Sequence, residues 1–259
     1  RLGVQGQQLR LRQDHAGLVD AVRRIEAEEE PEVPTREAGW RVVLAHIGRA
    51  METILLQLRD LIAFFGLVLV ALLRTLLNPR RLRLTATAHH MEQSGIDAVP
   101  LVVVLSFLVG AVIAFLGATV MRDFGAELFV VELVSFAFLR EFGTLLTAIL
   151  LAGRTASAFT AQIGTMKGRE EIDAIRTMGL DVIDLLVVPR VIALLVMLPI
   201  LAFFAMLAGI AGGMLVASLS LGIPADLFIT RLQDTIQLRH FGVGMSKAPV
   251  FAMVIALVG

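Results

Sequence analysis

The sequence contains no cysteine and few charged residues for its length. Without cysteine, the chain can form neither a disulfide nor a thiolate metal site, and its redox compartment cannot be inferred. Charged residues make up 18% of the 259 residues and hydrophobic residues 57%. A soluble domain is about a quarter charged and nearer half apolar. The composition therefore predicts an integral membrane protein, and its formal net charge of zero gives no indication of a nucleic-acid partner.

The sequence also lacks the motifs of common hydrolases. The segment Gly242-Val-Gly-Met-Ser-Lys has the wrong spacing for a phosphate-binding loop, and no Gly-x-Ser-x-Gly elbow occurs. His89-His90-Met91-Glu92 does not have the order of a zinc protease, so a polar patch beside the membrane explains it better than a metal site. We therefore expect no catalytic residue, metal or cofactor in this chain. Any ATP and Mg²⁺ would be bound by a partner subunit.

Charge and apolar runs divide the chain into three regions. Residues 1–35 are polar, and we expect the remnant of a soluble domain with its linker, because about thirty residues cannot bury a core. Residues 36–97 include an apolar stretch in which only Leu61–Leu73 is free of charge. As a helix that segment rises about 20 Å, short of the ~30 Å hydrocarbon core. A helix lying in the interface is therefore favoured over a full span.

Residues 98–259 form the predicted transmembrane domain. Ala98–Met121 is 24 residues without charge and Val191–Ala225 is 35, whereas a spanning helix needs about 20. Leu133–Gly164 is another long span, and Phe241–Gly259 begins a fourth. The predicted fold is an all-α integral membrane protein, with an interfacial helix and four visible spans. Because the last span stops within an apolar run, we expect the natural chain to be longer.

Small residues recur at every fourth position in two of the predicted spans. They are Gly153, Ser157 and Ala161 in the second span and Gly209 and Gly213 in the third. Small side chains allow helix backbones to approach closely in a membrane. We therefore predict close helix packing along both rows.

Basic residues are distributed unevenly around the spans. Arg80, Arg81 and Arg83 come shortly before the first span, and Lys167, Arg169, Arg176 and Arg190 lie between the second and third. The segments 122–132 and 226–239 contain fewer. By the positive-inside rule, the N-terminus and the 165–190 segment are predicted to be cytoplasmic.

Arg140 and Glu141 lie within the second span, eight and nine residues after Glu132, roughly 12–14 Å along a helix. Ionisable groups at such depth cost at least a few kcal/mol and indicate a functional site by default. Two interpretations stay open: a pair that only assembles helices, or a polar point in a cavity that receives a lipid head group. Lys247, within the fourth span, is a candidate partner for Glu141. Arg154 is expected to extend to the head groups.

The segment Gly168–Met178 predicts a short amphipathic helix, with Ile172, Ile175 and Met178 along one side. By itself this pattern is typical of an ordinary interfacial helix. Its position in a sizeable predicted cytoplasmic loop makes it a candidate docking site for a motor protein. Asp173-Ala174-Ile175, followed by Gly179, is distantly similar to the coupling loop of ABC importers.

Several blocks together resemble one known family. They are Leu139-Arg-Glu-Phe-Gly143, Ala152-Gly-Arg-Thr-Ala-Ser-Ala158, Ala161-Gln-Ile-Gly164, Met178 and Pro189-Arg190. Over about residues 55–259 the chain resembles the MlaE-type (MCE-associated) permease subunit of bacterial phospholipid ABC transporters. The resemblance implies a homodimer in which each protomer has an interfacial helix and five spans, so the last span would be missing here. Residues 1–30 resemble the end of a STAS-like domain fused to some members.

The resemblance also implies partners and a cellular location. It predicts a homodimer in the bacterial inner membrane, bound to cytoplasmic ABC ATPase subunits and a periplasmic MCE-domain substrate-binding protein. The cargo would be phospholipid moved between the inner and outer membranes, with ATP hydrolysed on the partner subunit. No nucleic-acid partner is implied.

Site residues are implied in the same way. The lipid cavity would be lined by Ile113, Val120, Met121, Phe124, Arg140, Glu141, Phe142 and Lys247. The ATPase-coupling helix would comprise Arg169, Glu170, Glu171, Asp173, Ala174, Arg176 and Gly179. Two positions depart from the family pattern, because Thr144 stands where proline usually follows the Arg-Glu motif and Gln162 where glutamate is common.

Two other functions remain as alternatives. A secondary transporter would carry ion-coupling residues near the membrane centre, usually in repeated halves, and no internal repeat is visible. A structural membrane scaffold would tolerate the loss of Arg140 and Glu141 as long as helix packing survived.

Overall fold

The computed structural model describes residues 39–78, 82–235 and 237–258, and within these ranges it contains helices and no strand. The helices are α1 (Gly39–Leu77), α2 (Leu84–Ser94), α3 (Val99–Arg122), α4 (Phe129–Phe136), α5 (Gly143–Leu151), α6 (Ser157–Gly168), α7 (Glu171–Thr177), α8 (Val188–Leu221), α9 (Ala225–Thr235) and α10 (Leu238–Val258). The all-α prediction is confirmed. The predicted soluble remnant, residues 1–35, and the basic residues Arg80 and Arg81 lie outside the described residues.

Short π-helical and 3-10 segments join several of these helices into longer continuous rods. The π-helical segment Ala137–Phe142 links α4 to α5, and a second one, Ala152–Ala156, links α5 to α6. A third, Ile183–Val187, leads into α8, and the 3-10 turn Ile96–Ala98 leads into α3. The described residues thus contain five helical stretches long and apolar enough to cross a membrane: Val43–Leu77, Leu84–Arg122, Phe129–Gly168, Ile183–Leu221 and Leu238–Val258.

The first of these stretches includes the segment predicted to lie in the membrane interface. Helix α1 is 39 residues long, so by length and composition it qualifies as a span, although its charge-free part alone is too short. The interfacial position of this segment stays a prediction. The chain divides into two compact units, Arg1–Leu61 and Ile62–Gly259. The described part of the first unit is the helical stretch 39–61, and all the other helices belong to the second.

The stretch that contains α8 is the most deeply buried of the candidate spans. Helix α8 packs against α2, α3, α5 and α10. Its contact with α3 is backbone to backbone: Gly110 faces the carbonyl of Gly209, and Gly212 faces the carbonyl of Phe107. A Cβ atom at Gly110 or Gly212 would overlap the main chain of the other helix. Small residues are what allow such an approach in a membrane protein.

The two predicted rows of small residues differ in how closely they are packed. A Cβ atom at Gly209 would strike the ring of Phe138, and one at Gly213 would strike the side chain of Val134, so close packing at these two glycines is confirmed. Gly153 instead has open space around it, and Ser157 and Ala161 are exposed. Close packing along the row Gly153, Ser157 and Ala161 is therefore not seen among the described residues, and it stays a prediction.

One row of small residues in α3 escaped the sequence analysis. Ser106, Gly110, Ala114 and Ala118 recur at every fourth position and are all buried. Their spacing is the signal that predicts a packing face. It is harder to notice than in α8 because only one of the four residues is glycine.

Candidate functional site

Arg140 and Glu141 both lie on the π-helical segment Ala137–Phe142. The N–H of Gly143 donates to the carbonyl of Phe138, the wide i to i−5 bond of a π turn. Phe138 is fully buried among Val130, Val134 and their neighbours. π turns within α-helices are frequent at functional sites. This one places an aromatic anchor in the core and the two charged side chains at the surface of the span.

Lys247 of α10 completes a charged cluster with Arg140 and Glu141. Its Nζ atom donates to Oε2 of Glu141 at 2.6 Å and to the carbonyl of Arg140 at 3.2 Å. On the other side of the carboxylate, Nε of Arg140 lies 3.7 Å from Oε1 of Glu141. The predicted pairing of Lys247 with Glu141 is confirmed. Two cations against one carboxylate leave the cluster with an excess of one positive charge.

The cluster is open to its surroundings. The side chains of Arg140, Glu141 and Lys247 are 54%, 55% and 34% exposed. A charged group facing hydrocarbon is costly, so an exposed cluster within apolar spans requires a polar occupant, water or another chain beside it. The contact between two helices fits the assembly interpretation, whereas the exposure and the excess positive charge favour a site for an anionic head group.

The position of Lys247 depends on a close contact one turn earlier in α10. Gly244 lies against the carbonyl of Leu139, where any Cβ atom would overlap that oxygen. The hydroxyl of Thr144 donates to the carbonyl of Gly244 at 2.9 Å, and this bond is buried. Thr144 is therefore a tether between the two helices that carry the cluster, a role that sequence reasoning missed.

The apolar residues predicted to line a cavity fall into two groups. Ile113 and Met121 are half-buried and pack onto the core cluster around Phe138. Val120 and Phe124 are 54% and 78% exposed, and Phe142, which directly follows Glu141, is 36% exposed. Within the described residues these side chains form open apolar surface and not a closed chamber. Their role in lining a lipid cavity stays a prediction.

The predicted coupling segment contains a short helix, α7, whose backbone turns sharply at both ends. Glu170 has φ 59° just before α7 and Gly179 has φ 74° just after it. The N–H of Leu180 closes the C-terminal end by donating to the carbonyl of Ile175. The predicted continuous helix Gly168–Met178 is wrong at Glu170, where the left-handed residue separates α6 from α7.

Only part of the predicted apolar stripe faces the protein. Ile175 is buried and Ile172 half-buried, but Met178 is 66% exposed and lies one residue beyond the end of α7. The remaining coupling-helix residues named from the sequence are all exposed: Arg169, Glu170, Glu171, Asp173, Ala174, Arg176 and Gly179. Two loose ion pairs lie among them, Arg169 with Glu171 at 3.8 Å and Arg176 with Asp173 at 3.7 Å. The segment is thus a charged surface fixed by one buried isoleucine.

Comparison with known proteins identifies the family of this chain. A family model described as permease MlaE matches residues 87–259, which includes the charged cluster and α7. The chain belongs to the MlaE permease family. With five candidate spans, it is a multi-pass membrane permease, and permease is a transport role rather than an enzymatic one.

Relatives of this chain occur in several bacteria. A probable ABC transporter permease of Synechocystis sp. is 34% identical over 199 residues, which cover 76% of this chain and 74% of that protein. A probable ABC transporter permease of Rickettsia bellii is 28% identical over 216 residues, 83% of each chain. The intermembrane phospholipid transport system permease protein MlaE of Haemophilus influenzae is 31% identical over 166 residues, 64% of each.

Proposed function

We propose that this MlaE-family chain is the permease subunit of an ABC transporter that moves phospholipid between the inner and outer membranes of a bacterium. The observation that carries the proposal is the cluster of Arg140, Glu141 and Lys247, which is exposed within otherwise apolar spans. Its excess positive charge suits the phosphate of a lipid head group. The Haemophilus relative, named for intermembrane phospholipid transport, supports phospholipid as the cargo.

The energetics of lipid extraction favour such a site. A two-chain lipid exposes some thirty CH₂ groups when it leaves the bilayer, which costs of order 20–25 kcal/mol at about 0.8 kcal/mol each. A water-filled pore cannot offset that cost, whereas an apolar surface with one polar point can. Val120, Phe124 and Phe142 supply exposed apolar surface, and the charged cluster supplies the polar point.

A second copy of the chain would enclose this surface. The cluster is open on one side in a single chain, and a homodimer would convert two open faces into a shared cavity. Proposed partners are a cytoplasmic pair of ATPase subunits, which would bind ATP and Mg²⁺, and a periplasmic MCE-domain protein, which would receive the lipid. The chain would lie in the inner membrane with its N-terminus in the cytoplasm.

Helix α7 is the proposed contact with the ATPase. It presents Glu171, Asp173 and Arg176 to solvent while Ile175 fixes it to the bundle. Because α7 follows α6 after only two residues, a push on α7 would reach the rod that carries Arg140 and Glu141. Closure of the ATPase pair on ATP would then narrow the cavity and expel the lipid.

Transport in reconstituted liposomes tests the proposal. We expect Arg140→Ala and Glu141→Ala to reduce ATP-dependent movement of labelled phospholipid, while the complex still assembles with its ATPase. Glu127→Ala is a matched control, because it removes an exposed 3.6 Å pair between the loop after α3 and Arg122, the last residue of that helix. Wild-type rates in both cluster variants would contradict the proposal and favour a scaffold. Lipid movement that needs an ion gradient and no ATP would indicate a secondary transporter.

A further inference from the structure

Arg190, near the start of α8, is a buried cation with few partners. The residue is only 6% exposed. Its Nη2 atom donates to Oε1 of Gln162 at 3.1 Å, and its guanidinium carbon lies 5.2 Å from the centre of the Phe159 ring. Among the described residues, Nε and Nη1 of Arg190 are buried and have no hydrogen-bond partner. A buried cation without an anionic partner is strongly unfavourable, so Arg190 is suited to an anionic ligand in the space that it lines.

Arg190 lines an open cleft of about 400 Å³ formed by α6, the α6–α7 junction and α8. The same cleft contains Gln162, Arg169 and Glu171. Arg169 and Glu171 are 3.8 Å apart and largely neutralise each other. Because Gln162 is neutral, nothing on the cleft wall offsets the charge of Arg190, and two guanidinium groups face one carboxylate. Arginine side chains in this situation are suited to binding phosphate.

On another side, Arg190 borders an apolar crevice of about 190 Å³, whose walls include Phe64, Ile163, Val187 and Ala256. A phosphate ligand in the polar cleft would therefore lie next to a narrow apolar groove. This combination matches a phospholipid, whose phosphate is attached to an acyl chain. Arg190 is seven residues into the candidate span that begins at Ile183, about 10 Å from its end, a depth that a head-group phosphate can reach.

We propose that Arg190 binds the phosphate of a membrane phospholipid at the end of the bundle formed by α6, α7 and α8. This site is distinct from the Arg140, Glu141 and Lys247 cluster. Gln162 follows Glu141 by 21 positions along one helical rod, a separation of roughly 30 Å. The cleft shares Glu171 with the proposed ATPase contact, so lipid binding is tested on the chain without an ATPase, where the result does not depend on transport.

The experiment compares lipid binding by the full chain and three single variants in detergent, using native mass spectrometry and thermal unfolding. The key variant is Gln162→Glu, which places a carboxylate beside Nη2 of Arg190 without changing side-chain size. We expect it to compete with the lipid phosphate, so that phosphatidylglycerol binds about tenfold more weakly or worse, as the loss of a charge-assisted bond implies. The same variant should unfold at a higher temperature in lipid-free detergent, because the buried charge is then paired.

Arg190→Gln should also weaken binding of phosphatidylglycerol, and Gln162→Glu keeps the test informative if Arg190→Gln fails to fold. Arg154→Gln is the matched control, since Arg154 is 45% exposed and already bonded to Asp97 through a 2.9 Å hydrogen bond and a 3.7 Å ion pair. It should bind phosphatidylglycerol like the wild type.

Three outcomes would overturn the proposal. The first is equal retention of phosphatidylglycerol by the wild type, Gln162→Glu and Arg190→Gln. The second is stabilisation of the wild type by inorganic phosphate to the same extent as by phosphatidylglycerol, which would make this a site for free phosphate. The third is equal binding of diacylglycerol, which lacks the phosphate and would show that only the apolar crevice contributes.

Discussion

The ammonium group of Lys247 lies 2.6 Å from the carboxylate of Glu141, although the two residues are 106 positions apart in the sequence. Lys247 comes from α10 and Glu141 from the π-helical segment between α4 and α5. Each charge would be costly alone in a membrane span. Together with Arg140 they form a cluster that neutralises part of its own charge and keeps one positive charge in excess.

Removing the lysine should impair transport by disturbing the carboxylate. In Lys247→Met, Glu141 retains only the 3.7 Å contact with Arg140, and the excess positive charge disappears. We expect lipid transport to fall about tenfold or more, and Glu141→Gln combined with Lys247→Met to cost less than the sum of the single changes, because residues in contact are coupled. Liposome transport rates of the four forms measure this coupling. Strictly additive losses would show that the pair does not act as a unit.

Thr144→Val should destabilise the bundle. It removes the buried hydrogen bond to the carbonyl of Gly244 and leaves that oxygen without its partner, a cost of about 1 kcal/mol or somewhat more. For a chain of this size, that corresponds to a midpoint of thermal unfolding lower by about 2–4 °C. Thr144→Ser retains the hydroxyl and is the control. If valine and serine variants unfold at the same temperature, the tether contributes nothing.

Two glycines within apolar helical stretches should respond oppositely to alanine. Gly212→Ala forces a Cβ atom into the carbonyl of Phe107, and overpacking of this kind costs about 1–3 kcal/mol. Gly153→Ala has open space and gains up to about 1 kcal/mol of helix propensity. Thermal unfolding in detergent distinguishes the two. A destabilised Gly153→Ala variant would contradict the expectation. If the wild type forms a dimer and Gly153→Ala does not, Gly153 would lie at the interface between two copies.

Charge reversal on the coupling segment should release the ATPase. We expect Glu170→Lys, Glu171→Lys and Asp173→Lys in combination to abolish co-purification of the ATPase, because all three side chains are exposed and available for docking. Ile175 is unchanged, so α7 should keep its place. Glu127→Lys, in the loop between α3 and α4, is the control and should retain the ATPase. Normal stoichiometry in the triple variant would exclude α7 as the main contact.

Several features of this protein follow from its sequence alone. Runs of 24 and 35 residues without charge, Ala98–Met121 and Val191–Ala225, predict membrane helices because burying charge in hydrocarbon is so unfavourable. The same reasoning makes Arg140 and Glu141 conspicuous, and the small-residue spacing at Gly209 predicts a packing face. These inferences depend on local composition and periodicity, which any stretch of sequence carries by itself.

Tertiary structure alone decided which helices meet and at what height. The bond from Thr144 to Gly244 and the open space around Gly153 depend on how distant helices are placed beside one another. The sequence offered Lys247 as a candidate partner for Glu141, and the packing of the helices decided that the two side chains meet. The spacing of small residues along a helix is the same whether that face packs against a neighbouring helix or not, so the spacing alone cannot show which faces are in contact. Arg190 illustrates the point most clearly: its sequence context is that of an ordinary boundary arginine, and only the packing of α6 and α8 shows that it is buried without a counter-charge.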